Sequence, residues 1–367
     1  MGVEVHAQAY AYTCDTLKDA DTIVNYTTFI DYKIINRSDT TYKNFSIGYW
    51  TDSDLGSSWD DYFGTNVELN SMYFYNGRDS DGDGSGQTYG ENPPAQFSTF
   101  LDAPLAEEAD GIDNNNDGTI DEEGEKALLS TAIYFNASGN IAMTDPQIGR
   151  DYYNYMHAHW KDGRPLIFGG TGYDADGGDS AKYMFPATSD PWNNGTYGVD
   201  PDYPYAGGWC EEEENNPPGD RRGVMSSGTF TVHPGDELNF TIAFVWSRGT
   251  DGAMSSVTKG FADVARITEM YNKGMLHGCD MENVSVQNIK EKQAVQVYPN
   301  PATDKILVSN VALDTKYQIT NLRGQVVKEG LLLSATLDIS SLSKGAYIIK
   351  FVTENNTERT AKFVKVE

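Results

Sequence analysis

Apolar and polar residues alternate along two long stretches of the chain, residues 3–130 and 228–246. Both stretches are rich in Tyr, Thr, Val and Ile, which favour β-strands because their side chains pack well on a pleated surface. Turn-forming residues interrupt the alternation and mark the strand ends. The pattern predicts two antiparallel hairpins, residues 28–36 with 45–50 and residues 230–233 with 238–245.

Helical periodicity is scarce in this chain. Apolar residues recur near a 3.6-residue period most clearly in residues 146–160 and 257–275, which are the predicted helices. Residues 162–225 are dense in Gly, Pro, Asp and Asn, and this composition predicts long ordered loops. We therefore expect a mainly β protein, built as a large β-sandwich with long loops and one or two short helices.

A polar stretch with few strong structure formers, residues 286–294, interrupts the strand pattern. We interpret it as a linker between an acidic domain of residues 1–285 and a second domain of residues 295–367. The second domain has seven short apolar segments at regular spacing, which is typical of a small Ig-like β-sandwich. These segments are residues 295–298, 305–308, 317–320, 325–328, 335–339, 346–351 and 360–366.

The second domain also carries four motifs: VYPNPATD at 297–304, NLRGQVV at 321–327, LSKGAYIIK at 342–350 and KFVKV at 362–366. Their order and spacing resemble the type A C-terminal sorting domain of the type IX secretion system of Bacteroidetes. The resemblance implies engagement of the secretion machinery through residues 295–367, passage across the outer membrane, and attachment to the cell surface or release. An ordinary Ig-like module with a structural or binding role is the alternative.

The physical properties of these motif residues agree with that interpretation. Pro299 and Pro301 fix φ and prevent the edge from pairing. Gly324 and Gly345 are placed where tight hairpin turns need a positive φ.

The acidic domain resembles a recurrent, uncharacterised region of large Bacteroidetes surface proteins. The features that carry this resemblance are WTDSDLG at 50–56, DDYFG at 60–64 and GDRRG at 219–223. The resemblance implies secretion but no particular activity.

Charge excludes one class of partner. The 367 residues include 54 acidic and 27 basic side chains, for a net charge of -27, and residues 295–367 hold 9 basic and 7 acidic ones. Residues 1–294 therefore hold 18 basic and 47 acidic side chains and carry all of the net negative charge. Such a surface repels phosphate backbones, so we expect no nucleic-acid partner, and divalent cations are the attractive counter-charge. No apolar run is long enough for a transmembrane helix.

The start of the sequence and its cysteines give weaker indications. The first residues lack the basic and apolar regions of a signal peptide, so we expect the sequence to be either trimmed at its start or a piece of a longer precursor. Cys14, Cys210 and Cys279 allow at most one disulfide bridge and lack metal-type spacing.

One acidic loop has the spacing of a calcium-binding loop. Oxygen-bearing side chains occupy loop positions one, three, five and nine, a glycine stands at position six, and a backbone carbonyl is available at position seven. The predicted ligands are Asp113, Asn115, Asp117, Thr119 through its carbonyl, Asp121 and Glu122.

This loop departs from the EF-hand pattern at position twelve, which is Gly124. The bidentate acid must therefore come from Glu122, Glu123 or elsewhere. Residues 110–122 also resemble a bacterial extracellular metal-binding motif, although Asn116 stands where many members carry cysteine. The alternative is a solvated acidic loop without a metal.

Further candidate calcium ligands occur earlier in the chain. Asp79, Asp81 and Asp83 repeat the one-three-five spacing, with a flexible Gly/Asp turn as the alternative. Asp52 and Asp54, together with Asp60 and Asp61, are a third candidate group. Weaker candidates are Asp174, Asp176 and Asp179.

The sequence has few features that indicate catalysis. The sequence has no G-x-S-x-G, H-E-x-x-H or P-loop motif. We expect His157 and His159 to diverge on a helix and to be surface or packing residues rather than zinc ligands. The many carboxylates leave acid pairs for glycoside hydrolysis open without selecting any, so we name no catalytic residue.

A group of aromatic residues in the loop region offers another function. Exposed rings there could stack on sugars, whereas the alternative is that they pack the loops onto the sheet. The residues are Trp192, Tyr197, Tyr203, Tyr205 and Trp209.

The sequence as a whole favours a secreted protein delivered to the cell surface. We expect it to be a calcium-stabilised structural or adhesive protein, with a surface glycan or protein as ligand, rather than a catalyst. A secreted hydrolase or carbohydrate-binding protein acting on polysaccharide is the second interpretation. A spacer within a longer chain is the third.

Overall fold

The computed structural model describes residues 2–13, 20–82, 87–135, 139–174, 176, 178–189, 208–276, 295–309, 311–352 and 358–366. The chain divides into two compact units, Met1–Met281 and Glu282–Glu367. Both consist mainly of antiparallel strands, which confirms the predicted fold class. The predicted linker, residues 286–294, lies outside the described residues, as do Cys14 and Cys279.

The first unit contains eleven described strands and two described α-helices. The strands are β1 (Val3–Ala11), β2 (Thr27–Asn36), β3 (Tyr42–Asp52), β4 (Asp61–Asn66), β5 (Ser71–Asn76), β6 (Ser80–Asp81), β7 (Gly90–Glu91), β8 (Ala95–Asp102), β9 (Thr131–Phe135), β10 (Arg222–Val232) and β11 (Glu237–Ser247). The helices are α1 (Gly149–Tyr155) and α2 (Gly252–Asn272), with 3-10 helices at Ala20–Tyr26 and Ile141–Met143.

Two sheets pack face to face in this unit. One has six strands in the order β1-β2-β11-β8-β5-β4, and the other has three in the order β3-β10-β9. Phe63 and Phe74 from the first sheet share one buried cluster with Val224 and Met225 from the second. Helix α2 covers the other face of the six-stranded sheet, where Val257 and other apolar residues of the helix pack.

Both predicted hairpins are wrong, although their strands exist. β2 pairs with β1 and β11, whereas β3 pairs with β10, so each predicted hairpin has one strand in each sheet. A connection of four or five residues is long enough to cross the ~10 Å between packed sheets. The buried Asn36 links the two connections that run between the sheets. Its N–H donates to the carbonyl of Asp236 (3.0 Å), and its side-chain amide donates to the Val232 carbonyl (3.1 Å).

The predicted helices also exist, but one of them is not short. Helix α2 has 21 residues. Its contact with the sheet depends on Gly260, where a Cβ atom would lie 2.0 Å from the ring of Phe97. The missing side chain therefore lets the helix backbone pack directly on an aromatic ring.

Strand β4 lies at the edge of its sheet but is fully buried, because loop residues cover its unpaired side. The N–H of Thr65 donates to the carbonyl of Phe185 (3.1 Å), and the N–H of Gly219 donates to the carbonyl of Asp61 (3.0 Å). The loops predicted between residues 162 and 225 thus satisfy the backbone groups that an edge strand leaves open.

All seven strands predicted for the C-terminal unit are present. They are β12 (Gln296–Tyr298), β13 (Lys305–Ser309), β14 (Lys316–Asn321), β15 (Val326–Leu331), β16 (Thr336–Asp338), β17 (Gly345–Val352) and β18 (Glu358–Lys365). They form sheets in the orders β12-β13-β16 and β15-β14-β17-β18 around a core that includes Ile306, Ile319 and Phe363. Both glycines have a positive φ, as predicted: 78° for Gly324 in the β14–β15 turn and 158° for Gly345 at the start of β17.

Candidate cation-binding sites

Asp52, Asp54 and Asp220 form an acidic triad on the surface. Each offers a carboxylate oxygen, and these oxygens lie within 4.8 Å of one another; within the described part of the chain no other three acidic, histidine or cysteine side chains meet this criterion. Asp52 ends strand β3, and Asp220 lies just before β10, the neighbouring strand. The sequence predicted Asp52 and Asp54 but missed Asp220, which only strand pairing brings to them.

Arg222 contributes positive charge to this triad. It lies directly opposite Asp52 in the β3–β10 ladder, and its guanidinium contacts Asp52 (3.1 Å), Asp220 (2.9 Å) and Asp145 (2.7 Å). Burial raises the pKa of both Asp52 and Asp220, and the charge of Asp54 adds to the shift. Because three carboxylates face one guanidinium, the triad has an excess of acidic groups.

Asp60 and Asp61, which were predicted to form one group with Asp52 and Asp54, are buried instead of exposed. Asp60 and Asp61 are 4% and 1% exposed. Asp60 accepts a hydrogen bond from the N–H of Gly82 (2.9 Å), and Asp61 accepts one from the N–H of Leu55 (3.2 Å). One oxygen of each carboxylate is buried without a hydrogen-bond partner. Burial raises the pKa of Asp61 to about 8, and the charges of Asp60, Asp81 and Asp54 add to the shift.

Asp79 and Asp81, predicted to share a metal, have separate partners. Asp79 accepts a hydrogen bond from the N–H of Ala253 (3.2 Å), at the start of helix α2. Asp81 is fully buried and accepts hydrogen bonds from the N–H groups of Ser57 (2.9 Å) and Tyr89. Asp83 lies outside the described residues.

The acidic loop of residues 110–125 folds tightly around Asp113. This residue is 5% exposed, and its carboxylate accepts hydrogen bonds from the N–H groups of Asp117 (3.1 Å) and Gly118 (2.7 Å). Gly118 has a φ of 92°, the conformation that a glycine at position six supplies. Asn115 also accepts from the N–H of Asp117 (2.9 Å), and Asp117 accepts from that of Thr119 (2.8 Å). The predicted oxygen-rich turn is therefore present.

Acids later in the same loop face its first half. Glu122 accepts a hydrogen bond from the Asn115 side chain (2.5 Å), and its other carboxylate oxygen is buried without a partner. Asp121 instead bonds the N–H of Gly111 (3.1 Å). Glu125, which the sequence reasoning missed, is buried, and its pKa is raised by burial, with the charges of Glu122 and Asp113 adding to the shift. Glu125 lies one residue after Gly124, the position at which an EF-hand loop has its bidentate acid, and this could have identified it as a candidate.

The remaining predicted residues have local structural partners. His157 and His159 follow helix α1; His157 contacts the Ser46 hydroxyl (3.1 Å), and His159 contacts the backbone carbonyl of His157 (2.6 Å). Trp209 is fully buried and donates to the carbonyl of Gly170 (3.2 Å), which supports packing rather than sugar stacking. The other four aromatic residues proposed for sugar stacking lie outside the described residues.

Comparison with known proteins decides the nature of the C-terminal unit. Residues 296–366 match the family model of the secretion system C-terminal sorting domain. They are a type IX secretion sorting domain. The protein is therefore exported through the type IX secretion system to the cell surface or the exterior, and this sorting domain engages the secretion machinery.

No curated protein matches the chain. Two solved structures are similar to the chain: PorZ, a surface component of the type IX secretion system of Porphyromonas gingivalis (15% identity, 22% of this chain and 13% of PorZ, TM-score 0.20), and a polysaccharide lyase (7% identity, 100% of this chain and 34% of the lyase, TM-score 0.25). The chain thus spans about a third or less of either protein.

No helix in the described part of the chain combines the length and the apolar composition needed to cross a membrane.

Proposed function

We propose that this secreted protein is a calcium-stabilised structural or adhesive module of the cell surface. The observation that carries the proposal is the loop of residues 110–125. It gathers Asp113, Glu122 and Glu125 around a turn whose side-chain oxygens are already oriented by backbone N–H groups. Calcium binds such sets of six to eight oxygen ligands.

The physical role of calcium there is to offset charge repulsion. The two large apolar side chains of the loop, Ile112 and Ile120, are exposed and do not form a core. A β-bridge between Leu105 and Lys126 closes the base of the loop. A divalent cation would neutralise the crowded carboxylates and link the first half of the loop to Glu122. At extracellular calcium concentrations, which are millimolar, even weak sites are filled.

Thermal unfolding of the full chain tests this proposal. The midpoint is expected to rise in 1–2 mM calcium relative to chelator, on the order of the levels at which extracellular calcium modules fill, and Asp113→Ala should reduce this rise. Asp236→Ala is the matched control, because the Asp236 carboxylate makes a similar local bond to a backbone N–H (2.7 Å, from His233) and is not among the candidate calcium ligands. An equal rise in Asp113→Ala and wild type would contradict calcium binding by this loop.

A specific observation supports glycan binding as the adhesive activity. Trp50 is 49% exposed and lies two residues before Asp52 on strand β3, so both side chains project from the same face. An exposed ring beside carboxylates is a suitable surface for a sugar. Trp50→Ala should then weaken retention on immobilised polysaccharide, whereas Trp246→Ala should not; equal retention of both variants would contradict glycan binding through Trp50.

A further inference from the structure

A group of buried oxygen atoms lies between the two sheets at the open end of the β4–β5 hairpin. Asp61 begins β4, and Asn76 ends β5 directly opposite it in the ladder. Directly opposed residues project from the same face, with Cβ atoms about 4.5–5.5 Å apart. This face is the one that carries Phe63 and Phe74 into the core between the sheets, so the two polar side chains lie at the rim of that core.

Three oxygens in this group are buried and have no hydrogen-bond partner. They belong to Asp60, Asp61 and Asn76, whose residues are 4%, 1% and 1% exposed. The amide nitrogen of Asn76 donates to the carbonyls of Arg78 (2.8 Å) and Ser80 (3.4 Å), which assigns the unpartnered atom as its carbonyl oxygen. All three atoms are therefore acceptors, and a buried acceptor without a donor or a cation is costly.

The same side chains converge on one segment of the chain. Asp60 bonds the N–H of Gly82, and the Asn76 amide bonds the carbonyl of Ser80. Between these two contacts lies the fully buried Asp81, whose charge acts on Asp61 together with that of Asp60. Within the described residues no Lys, Arg or His forms an ion pair with any of these three carboxylates.

We propose that Asp60, Asp61 and Asn76 bind a buried calcium ion, with Asp81 supplying additional negative charge. Two carboxylates and an amide carbonyl are ligands that a hard cation prefers. Calcium is favoured over magnesium because magnesium requires near-ideal octahedral geometry, whereas calcium accepts irregular ligand sets and carboxylates that bind through both oxygens. The ion would tie the start of β4, the end of β5 and residues 78–82 together.

This site is separate from the loop on which the proposed function rests. The side chain of Asn70, in the turn at the closed end of the hairpin, contacts the carbonyl of Asn115 in that loop (3.3 Å). Asp61 and Asn66 are the two ends of β4, so the two sites are separated by roughly the length of the strand, ~16 Å at about 3.3 Å per residue. Each can therefore be removed without touching the other.

The test counts the calcium ions bound by the full chain, by equilibrium dialysis after chelator treatment. Asp61→Asn and Asp60→Asn keep the shape of each side chain and remove one charge, and each is expected to bind one calcium fewer than wild type. Asp31→Asn is the matched control: its exposed carboxylate already accepts hydrogen bonds from Tyr10 (3.0 Å) and Thr241 (2.8 Å), so its calcium count should not change.

Comparison with the loop variant distinguishes the two proposals. Asp113→Ala should also lose one calcium, and Asp61→Asn combined with Asp113→Ala should lose two. A full calcium count in both Asp61→Asn and Asp60→Asn would overturn the buried site while leaving the loop proposal intact. A rise in thermal midpoint of Asp61→Asn that is equal in calcium and in chelator would also overturn it, because it would show that a buried carboxyl was merely relieved of its charge.

Discussion

Replacing Glu211 with Gln is expected to destabilise the first unit strongly. Glu211 and Arg221 form a bidentate ion pair (3.0 and 2.9 Å) whose side chains are 0% and 2% exposed. The same carboxylate accepts a hydrogen bond from the N–H of Phe63 (2.8 Å), on the side of edge strand β4 that pairs with no other strand. Burial raises the pKa of Glu211, and the guanidinium opposes that shift.

The magnitude follows from the charge that the substitution leaves behind. A Gln side chain can still accept the bond from Phe63, but Arg221 would remain buried without a counter-charge, over the ring of Tyr134 (4.8 Å). Removing one partner of a buried ion pair costs about 3–5 kcal/mol. At about 2–4 °C per kcal/mol for a large domain, the thermal midpoint should fall by roughly 6–20 °C.

Tryptophan fluorescence during chemical denaturation measures this loss in the first unit alone, because all six tryptophans lie between residues 50 and 246. Glu237→Gln is the matched control, since its pair with Lys33 (2.5 Å) is on the surface and should change stability by less than about 1 kcal/mol. Replacing Glu211 and Arg221 together by Leu and Met should recover much of the loss. A loss below about 1 kcal/mol for Glu211→Gln would refute the reasoning from burial.

Three other predictions follow from close contacts and charge. Gly260→Val should cost about 1–3 kcal/mol in denaturant titration because its side chain would overlap Phe97, whereas Gly149→Ala, which meets no atom within 4 Å, should be neutral; equal effects would contradict the packing argument. Phe363→Ala should destabilise the sorting domain by about 3–5 kcal/mol and lower the secreted fraction, and unchanged secretion would contradict a need for its folded core. Arg222→Met should raise calcium affinity at the acidic triad, and a lower affinity would show that the arginine supports that site instead.

The alternation of apolar and polar residues was sufficient to predict where the strands of this protein lie, but not which strands pair with each other. The seven strands of the sorting domain and the main strands of the first unit follow from alternation of apolar and polar residues. The connections at residues 37–41 and 233–236 have the composition of hairpin turns, and yet each crosses between sheets. Their composition indicates only that the chain changes direction. Which sheet the next strand joins depends on contacts between residues distant in sequence, such as that of Asn36 with Val232.

The candidate sites also differ in whether their residues are close in sequence or are brought together by strand pairing. The loop around Asp113 is local, and its turn could be predicted because all of its oxygens lie within about a dozen residues, as calcium-loop spacing requires. The acidic triad needs Asp220, and the buried group needs Asn76, which comes from the strand opposite Asp61. Spacing along the chain also could not separate Asp52 from Asp60, because only the core between the sheets makes one exposed and the other buried.

Secretion and calcium binding would reinforce each other in this protein. A site with a dissociation constant of about 0.1 mM gains about 1.4 kcal/mol in about 1 mM calcium, and almost nothing at submicromolar concentrations. Two such sites, one at each end of the β4–β5 hairpin, would add about 3 kcal/mol, which is a large fraction of the stability of an ordinary domain. The acidic unit would then reach its full stability only after the sorting domain has directed it out of the cell, where its carboxylates meet enough calcium to offset their repulsion.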